Sequence, residues 1–193
     1  MSDDNPPDPE FSLTGQLLVA MPGMTDPRFE RSVVYVCEHS SQGAMGLIVN
    51  KSTEISLSDL FAKVELEVRT IFPEDSWVLD GGPVSTERGF VLHSVDRVWN
   101  SSLTIDDEVA MTTSRDILEA VASGHAPKHW LITLGYSGWS KGQLEQELAA
   151  NAWLNLPADR GLLFDEPLES RFNAAFRLMG IDPLMVSGTS GNA

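Results

Sequence analysis

Two β-rich segments joined by a short loop constrain the fold of this chain more than any other feature. The segments Ser32 to His39 (SVVYVCEH) and Ala44 to Asn50 (AMGLIVN) are rich in β-branched and apolar residues. The loop between them, Ser40 to Gly43, is short and contains glycine, which is typical of a β-hairpin. Because a hairpin joins antiparallel strands, a purely parallel, doubly wound sheet is not expected.

Four helices are predicted from local signals at their N-terminal ends. These signals are, in chain order, Ser56, the capping-box pair Thr113 and Asp116, the capping-box pair Ser140 and Gln143, and Pro167. The second helix is predicted near 115–123. The last is predicted to end at Met179, just before Gly180, and its apolar residues recur at helical spacing.

Further strands are predicted between these helices. Their segments are Leu13–Ala20, Trp77–Leu79, Gly89–Val95 and His129–Leu134. The alternation predicts an α+β (mixed α/β) fold in one continuous domain over residues 11–186. An acidic disordered tail is predicted for residues 1–10 and a flexible tail for residues 187–193.

The charge of the chain excludes one class of function. The 13 Lys and Arg residues face 28 Asp and Glu residues, which gives a formal net charge of −15. Such a chain repels both nucleic acid and anionic lipid at long range, so direct DNA binding and membrane binding are not expected. The acidic, proline-containing start resembles no secretory signal and the single cysteine forms no internal disulfide, so a cytoplasmic location is predicted.

Motifs for metal or nucleophilic chemistry are weak. The four histidines are scattered singly, and neither a metal site nor a cofactor is predicted. The segment GYSGW, Gly135 to Trp139, resembles a nucleophile elbow but has Trp139 where that motif needs glycine. We therefore expect a tight strand-to-helix turn in which Ser137 is a small packing residue.

Cys37 is a candidate redox residue. Strand alternation places it on one face with Val33 and Tyr35, which favours an inert core thiol. His39, two residues further on, is expected on the same face, where it could support a thiolate. The redox alternative requires an exposed thiol.

A ligand site is the second functional hypothesis. It would be built from residues near strand ends and glycine turns, where ligands tend to bind. The candidates are Arg28, Asn50, Lys51, Gly81, Gly82 and Trp139. The alternative for the pair Gly81 and Gly82 is a turn or bulge, because no helix N-terminus follows it to receive a phosphate.

Several long segments together resemble the bacterial AlgH/YqgE family. They are AMPGMTDPRFERSVVYVCEHSSQGAMGLIVNK, LDGGPVSTERGFVLHS, MTTSRDILEA, LGYSGWSKGQLEQELAANAWL and LFDEPLESRF. The resemblance covers nearly the whole domain. It implies a bifurcated mixed β-sheet that closes partly into a small barrel and is surrounded by helices.

The resemblance does not bring an activity with it. Members of the family carry the label of transcriptional regulator, but no biochemical activity is established for them. With the acidic charge, this favours a non-enzymatic cytoplasmic protein that acts through a protein partner, with any effect on transcription indirect. The alternative is a small-molecule or nucleotide-binding protein, including an enzyme, with its site at the glycine-rich turns.

Overall fold

The computed structural model describes residues 11–74 and 76–187. The tail predicted for residues 1–10 lies outside these ranges, and so does the C-terminal tail except for Ser187. The described residues form a mixed α+β single domain in which a curled, mainly antiparallel sheet makes a half-barrel with helices around it.

Ten strands are present in the described part of the chain. In chain order they are β1 (Gln16–Ala20), β2 (Val33–Ser40), β3 (Gly43–Ile48), β4 (Ser52–Ser56), β5 (Trp77–Asp80), β6 (Val84–Ser94), β7 (Ser102–Thr104), β8 (Val109–Thr112), β9 (Trp130–Ser140) and β10 (Trp153–Pro157). The main path through the sheet is β10-β1-β2-β3-β9-β6-β8-β7. The hairpin predicted from SVVYVCEH and AMGLIVN is confirmed as β2 and β3.

The sheet forks at β9, the long strand in its middle. One edge of β9 pairs antiparallel with β6. The other edge pairs first with β5, in parallel, at Thr133 and Leu134, and then with β3 from Ser137 to Ser140. Because one strand serves two different neighbours on the same edge, the sheet divides there, and the bifurcated sheet implied by the family resemblance is confirmed.

The predicted end of this strand was wrong. The strand predicted to stop at Leu134 continues through GYSGW to Ser140. Gly135 has a φ of +76°, which lets the chain change direction without leaving the sheet. The expected strand-to-helix turn at these residues is therefore absent, and the turn lies after Ser140.

Five α-helices pack around the sheet in the described residues. They are α1 (Leu57–Lys63), α2 (Arg115–Ala122), α3 (Gln143–Ala149), α4 (Arg171–Leu178) and α5 (Pro183–Ser187). A π-helical turn (Gly161–Asp165) and a 3₁₀ turn (Leu168–Ser170) precede α4. None of the described helices has the length and apolar character needed to cross a membrane.

The capping predictions were confirmed in part. The Ser56 hydroxyl accepts a hydrogen bond from the Asp59 N–H at 3.1 Å, as an N-cap does. At α2 the N-cap is Ser114 rather than Thr113. At α3 the Gln143 side chain accepts from the Ser140 N–H at 3.0 Å, but the N-cap is Gly142, so the helix starts later than a capping box at Ser140 requires.

The last predicted helix is confirmed in its main features. It begins as the 3₁₀ turn after Pro167 and continues as α4, and Gly180 follows with a φ of +72°. Its apolar stripe packs on the central core, where Ala175 and Phe176 are buried. Two further apolar clusters lie around α3 and around α1 with α2.

Candidate functional site

The predicted glycine turn packs closely against β9. A Cβ at Gly81 would collide with the Gly135 carbonyl oxygen, and a Cβ at Gly82 would collide with the backbone of Tyr136. The Gly81 carbonyl oxygen accepts hydrogen bonds from the Ile48 N–H at 2.9 Å and from the Ser137 hydroxyl at 3.2 Å. Close packing of the backbone against β9 is therefore a structural reason for glycine at both positions.

Ser137 is a packing residue, although it lies within a strand instead of a turn. Its side chain is fully buried and its hydroxyl donates to Gly81. A hydroxyl in this position has no open path to a substrate. It stabilises the contact between β9 and the turn before β6.

Asn50 and Lys51 hold the segment that leads into β2. The Asn50 Oδ1 accepts from the Val33 N–H at 2.8 Å and its Nδ2 donates to the Arg31 carbonyl at 2.8 Å. The Lys51 Nζ donates to the Arg28 carbonyl oxygen at 3.0 Å. Partial burial lowers the pKa of Lys51, although the nearby Asp80 carboxylate opposes this effect.

The Arg28 side chain lies at the surface of the same loop. Its guanidinium forms an ion pair with the Asp26 carboxylate, with 2.7 Å between Nη2 and Oδ2. The hydrogen bonds that Arg28 donates to this carboxylate lower the pKa of Asp26. These contacts bring together three of the candidates, Arg28, Asn50 and Lys51. Lys51 also lies beside the glycine turn, because the Lys51 carbonyl oxygen accepts a hydrogen bond from the Asp80 N–H at 2.9 Å.

Trp139 lies next to this loop at Phe29, the residue that follows Arg28. Its ring lies 6.4 Å from that of Phe29 and 6.0 Å from that of Trp153, and it is only 6% exposed. In four cavities formed by described residues, Trp139 alone of the six candidates contributes to the walls. A ligand site shared by all six residues stays a prediction. For Asn50 there is also a purely structural explanation, because its hydrogen bonds hold the segment that leads into β2.

Cys37 lies inside the apolar core. It is 1% exposed and packs in the cluster that contains Val33 and Tyr35. Burial raises the pKa of the thiol, with a smaller contribution from the Glu38 carboxylate, so the neutral form dominates at neutral pH. A redox role at Cys37 requires this thiol to become accessible.

The prediction that His39 lies on the same face of β2 as Cys37 was wrong. A β-bulge between Val36 and Glu38 shifts the register of β2, so His39 does not share the Cys37 face. His39 accepts from the Leu13 N–H through Nδ1 at 2.9 Å and bonds Glu145 of α3 through Nε2 at 2.6 Å. Because a backbone N–H can only donate, Nε2 carries the proton given to Glu145.

Sequence reasoning missed a buried arginine. Arg171, at the start of α4, is 8% exposed and donates to the Val49 carbonyl at 2.6 Å and the Glu166 carbonyl at 3.1 Å. It contributes to a cavity of about 260 Å³ between α4 and the β5–β9 region. The available signal was its helical spacing to Ala174 and Ala175, which puts an arginine on the apolar face of the helix.

Sequence reasoning also missed an acidic groove near the C-terminal end of the domain. The groove has a volume of about 370 Å³ and its lining residues include the acids Asp159, Asp165 and Glu166. Leu178, which is 52% exposed, forms part of its rim. Across the two described ranges, no group of three His, Cys, Asp or Glu side chains is arranged to hold a metal ion.

Comparisons with known proteins agree on one family. The AlgH-like family matches residues 17–184. A UPF0301 protein of Ralstonia nicotianae is 50% identical over 187 residues, covering 97% of this chain and 98% of the relative. A UPF0301 protein of Bordetella petrii is 48% identical over 193 residues, covering 100% of this chain and 96% of the relative.

Solved structures show the same architecture. The solution structure of the AlgH protein from Pseudomonas aeruginosa has 40% identity and a TM-score of 0.76, with both chains covered completely. The crystal structure of a Corynebacterium diphtheriae protein, DIP2367, has 19% identity and a TM-score of 0.71 over 87% of each chain, which shows a shared fold. From the family match and the near-complete coverage of its relatives, this chain belongs to the AlgH-like family.

Proposed function

We propose that this protein is a non-enzymatic, cytoplasmic regulatory protein that docks onto a protein partner. The partner segment is basic and amphipathic, and it binds the acidic groove together with the exposed apolar side chains of α4 and α5. Any effect on transcription is then indirect. The observation that carries this proposal is the meeting of carboxylates and exposed apolar side chains at one end of the domain.

The apolar part of the surface lies on α4 and α5. Leu178 is 52% exposed, Leu184 is 80% exposed and Met185 is 77% exposed. The two helices contact each other, so these side chains belong to one region of the surface. Exposed apolar groups that cluster in this way mark interaction surfaces, and methionine adapts easily to different partners.

The charged part is the groove beside Leu178. Its lining residues include three acids, Asp159, Asp165 and Glu166, and one base, Arg177. Asp165 is additionally 3.7 Å from the imidazole of His129, which is a loose contact at the surface. This excess of negative charge, on a chain of net charge −15, attracts a segment rich in Lys and Arg and repels an acidic one.

A matched pair of peptides tests the docking surface. A helical Leu/Lys peptide and a Leu/Glu peptide of the same length are titrated into the full chain and followed by calorimetry. We expect the Leu/Lys peptide alone to bind, with an affinity that falls as salt rises. Equal binding of both peptides would contradict a charge-selective groove.

Surface variants locate the binding. Leu178→Asp and Leu184→Asp are expected to weaken binding of the Leu/Lys peptide, whereas Val98→Asp, at a position 92% exposed outside the patch, is expected to leave it unchanged. If Val98→Asp weakens binding as much as the other two, the peptide binds elsewhere.

A separate titration tests the route by which the protein would affect transcription. Duplex DNA is added in low salt, where phosphate contacts are strongest, and binding is followed by fluorescence anisotropy. We expect no saturable binding. Tight, salt-sensitive binding to duplex DNA would refute an indirect, partner-mediated effect.

A further inference from the structure

The cavity at Arg171 combines a buried positive charge with aromatic walls. Arg171 is more than nine-tenths buried, and it lines the cavity together with Trp77, Trp130 and Leu168. Trp77 is 43% exposed and belongs to the rim. The site is therefore a recess that opens to solvent beside an aromatic ring and has a buried arginine among its lining residues.

The charge of Arg171 has no carboxylate partner. Its two hydrogen bonds go to the carbonyl oxygens of Val49 and Glu166, and no ion pair joins it to any carboxylate of residues 11–74 or 76–187. Burial lowers the pKa of Arg171, although the Glu166 carboxylate exerts an opposing Coulombic effect from a longer distance. A buried cation that is held by carbonyl oxygens and has no carboxylate within ion-pair distance is costly, and an anion bound beside it would reduce that cost.

The donors of Arg171 leave room for such an anion. A guanidinium has five N–H groups, and only Nε and one N–H of Nη1 are used in the described part of the chain. The guanidinium fork matches the two oxygens of a carboxylate, and such bidentate pairs are among the strongest hydrogen bonds in proteins.

The size and composition of the cavity define the rest of the ligand. The cavity volume of about 260 Å³ is large enough for a small ligand with one ring. The walls are mainly apolar, with contributions from Leu57, Leu79 and Ile132. One arginine balances one negative charge, so a singly charged carboxylate fits this site better than a phosphate dianion does.

We propose that this cavity binds a small monocarboxylate with a single aromatic ring, the carboxylate pairing with Arg171 and the ring packing against Trp77 and Trp130. This site is separate from the acidic groove, whose walls include Arg177 and Leu178 of the same helix. It gives the protein a means of binding a small acidic metabolite independently of a protein partner.

Benzoate is the probe for the test. It is titrated into the ¹⁵N-labelled full chain, and the indole N–H signals of Trp77 and Trp130 and the Nε–H signal of Arg171 are followed. We expect saturable shifts at these three groups. Benzamide, which has the same shape without the charge, is expected to cause none at the same concentrations. The absence of saturable shifts with benzoate, or equal shifts with benzamide, would overturn the proposal.

Two arginines of α4 provide a matched pair of variants. Arg171→Gln is expected to weaken benzoate binding by about tenfold or more, because a charge-assisted bidentate pair is lost. Arg177→Gln removes an exposed guanidinium from the same helix and is expected to leave binding unchanged. Equal weakening by both variants would show that benzoate responds to overall charge alone.

A third variant keeps the test valid if Arg171→Gln does not fold, since Arg171 also fixes Val49. Trp77→Ala removes a partly exposed ring from the rim and is expected to weaken benzoate binding in a folded protein. Unchanged binding in Trp77→Ala would overturn the placement of the ring. Inorganic phosphate is the last probe, and if it displaced benzoate the ligand class would be wrong.

Discussion

Gly81 and Gly135 pack backbone against backbone where the sheet divides. A Cβ on Gly81 would collide with the carbonyl oxygen of Gly135, and a Cβ on Gly135 would collide with that of Gly82. This contact joins the turn after β5 to the middle of β9, the strand that serves both branches. The fork therefore depends on the absence of side chains at these positions.

Gly135 and Gly142 have the same φ angle, so substitutions there can distinguish backbone strain from a collision of the added Cβ. Gly135 and Gly142 both have a φ of +76°, but a Cβ at Gly142 would have no atom within 4 Å. Gly142→Ala is expected to cost about 1 to 2 kcal/mol from the left-handed backbone alone. Gly135→Ala should cost clearly more, because the collision with Gly82 is added. Urea unfolding of both variants measures the difference, and equal losses would show that the contact with Gly82 can relax.

The bond from His39 to Glu145 predicts a pH dependence of stability. The hydrogen bond from His39 lowers the pKa of Glu145 in the folded protein. The hydrogen bond therefore makes its full contribution to the free energy of unfolding above the pKa of a glutamate in the unfolded chain, about 4.3. This contribution is lost as pH falls through the lowered pKa of Glu145 in the folded protein. Because the Glu145 side chain is 41% exposed, Glu145→Gln should cost about 1 kcal/mol or less at pH 7.

Unfolding at pH 7 and pH 3 checks this sign. The difference between Glu145→Gln and the parent chain should shrink at pH 3. The control is Glu54→Gln, at an exposed position, which should show no comparable change between the two pH values. A difference that grows at low pH would contradict the assigned direction.

The thiol of Cys37 should react slowly in the native protein. Its 1% exposure and the raised pKa both reduce the concentration of accessible thiolate. We expect labelling by a disulfide reagent to take place only after urea is added. In the control chain, Cys37→Ala with Glu38→Cys, the cysteine occupies the exposed neighbouring position and should react at once. Rapid native labelling of Cys37 would support the redox alternative.

Asn50 should matter for stability even without a ligand. Asn50→Ala leaves the Val33 N–H and the Arg31 carbonyl without their partner, with an expected cost of about 1 to 3 kcal/mol. Asn50→Asp keeps the acceptor for Val33 and should cost less. Asn155→Ala, which removes an exposed amide bonded to Gln16 at 2.9 Å, should have a small effect. If Asn50→Ala unfolds like the parent chain, the two hydrogen bonds of Asn50 contribute nothing to stability and a structural role for this residue is contradicted.

Local sequence patterns predicted the local parts of this fold well. The hairpin of β2 and β3, the Ser56 cap and the end of α4 before Gly180 each depend on residues close together in the chain. The path of β9 could not be predicted in the same way. GYSGW has the composition of a turn, and it is strand because β3 and the turn at Gly81 pack along it.

The candidate site shows the same division. The sequence identified Asn50, Lys51 and the glycine pair as unusual, and all of them make specific contacts. It gave no indication that the β2 bulge would separate His39 from Cys37, because a bulge depends on the register between two strands.

The sequence by itself determined the family, the mixed α+β class and the acidic charge, because these are carried by composition and by contiguous motifs. Only the tertiary structure decided where the sheet forks and which charges are buried. Arg171 contacts Val49 across 122 positions of sequence, and the exposed Leu178 of α4 lines a groove together with acidic residues of a different turn. Contacts of this kind arise from the packing of distant segments, which no local pattern encodes.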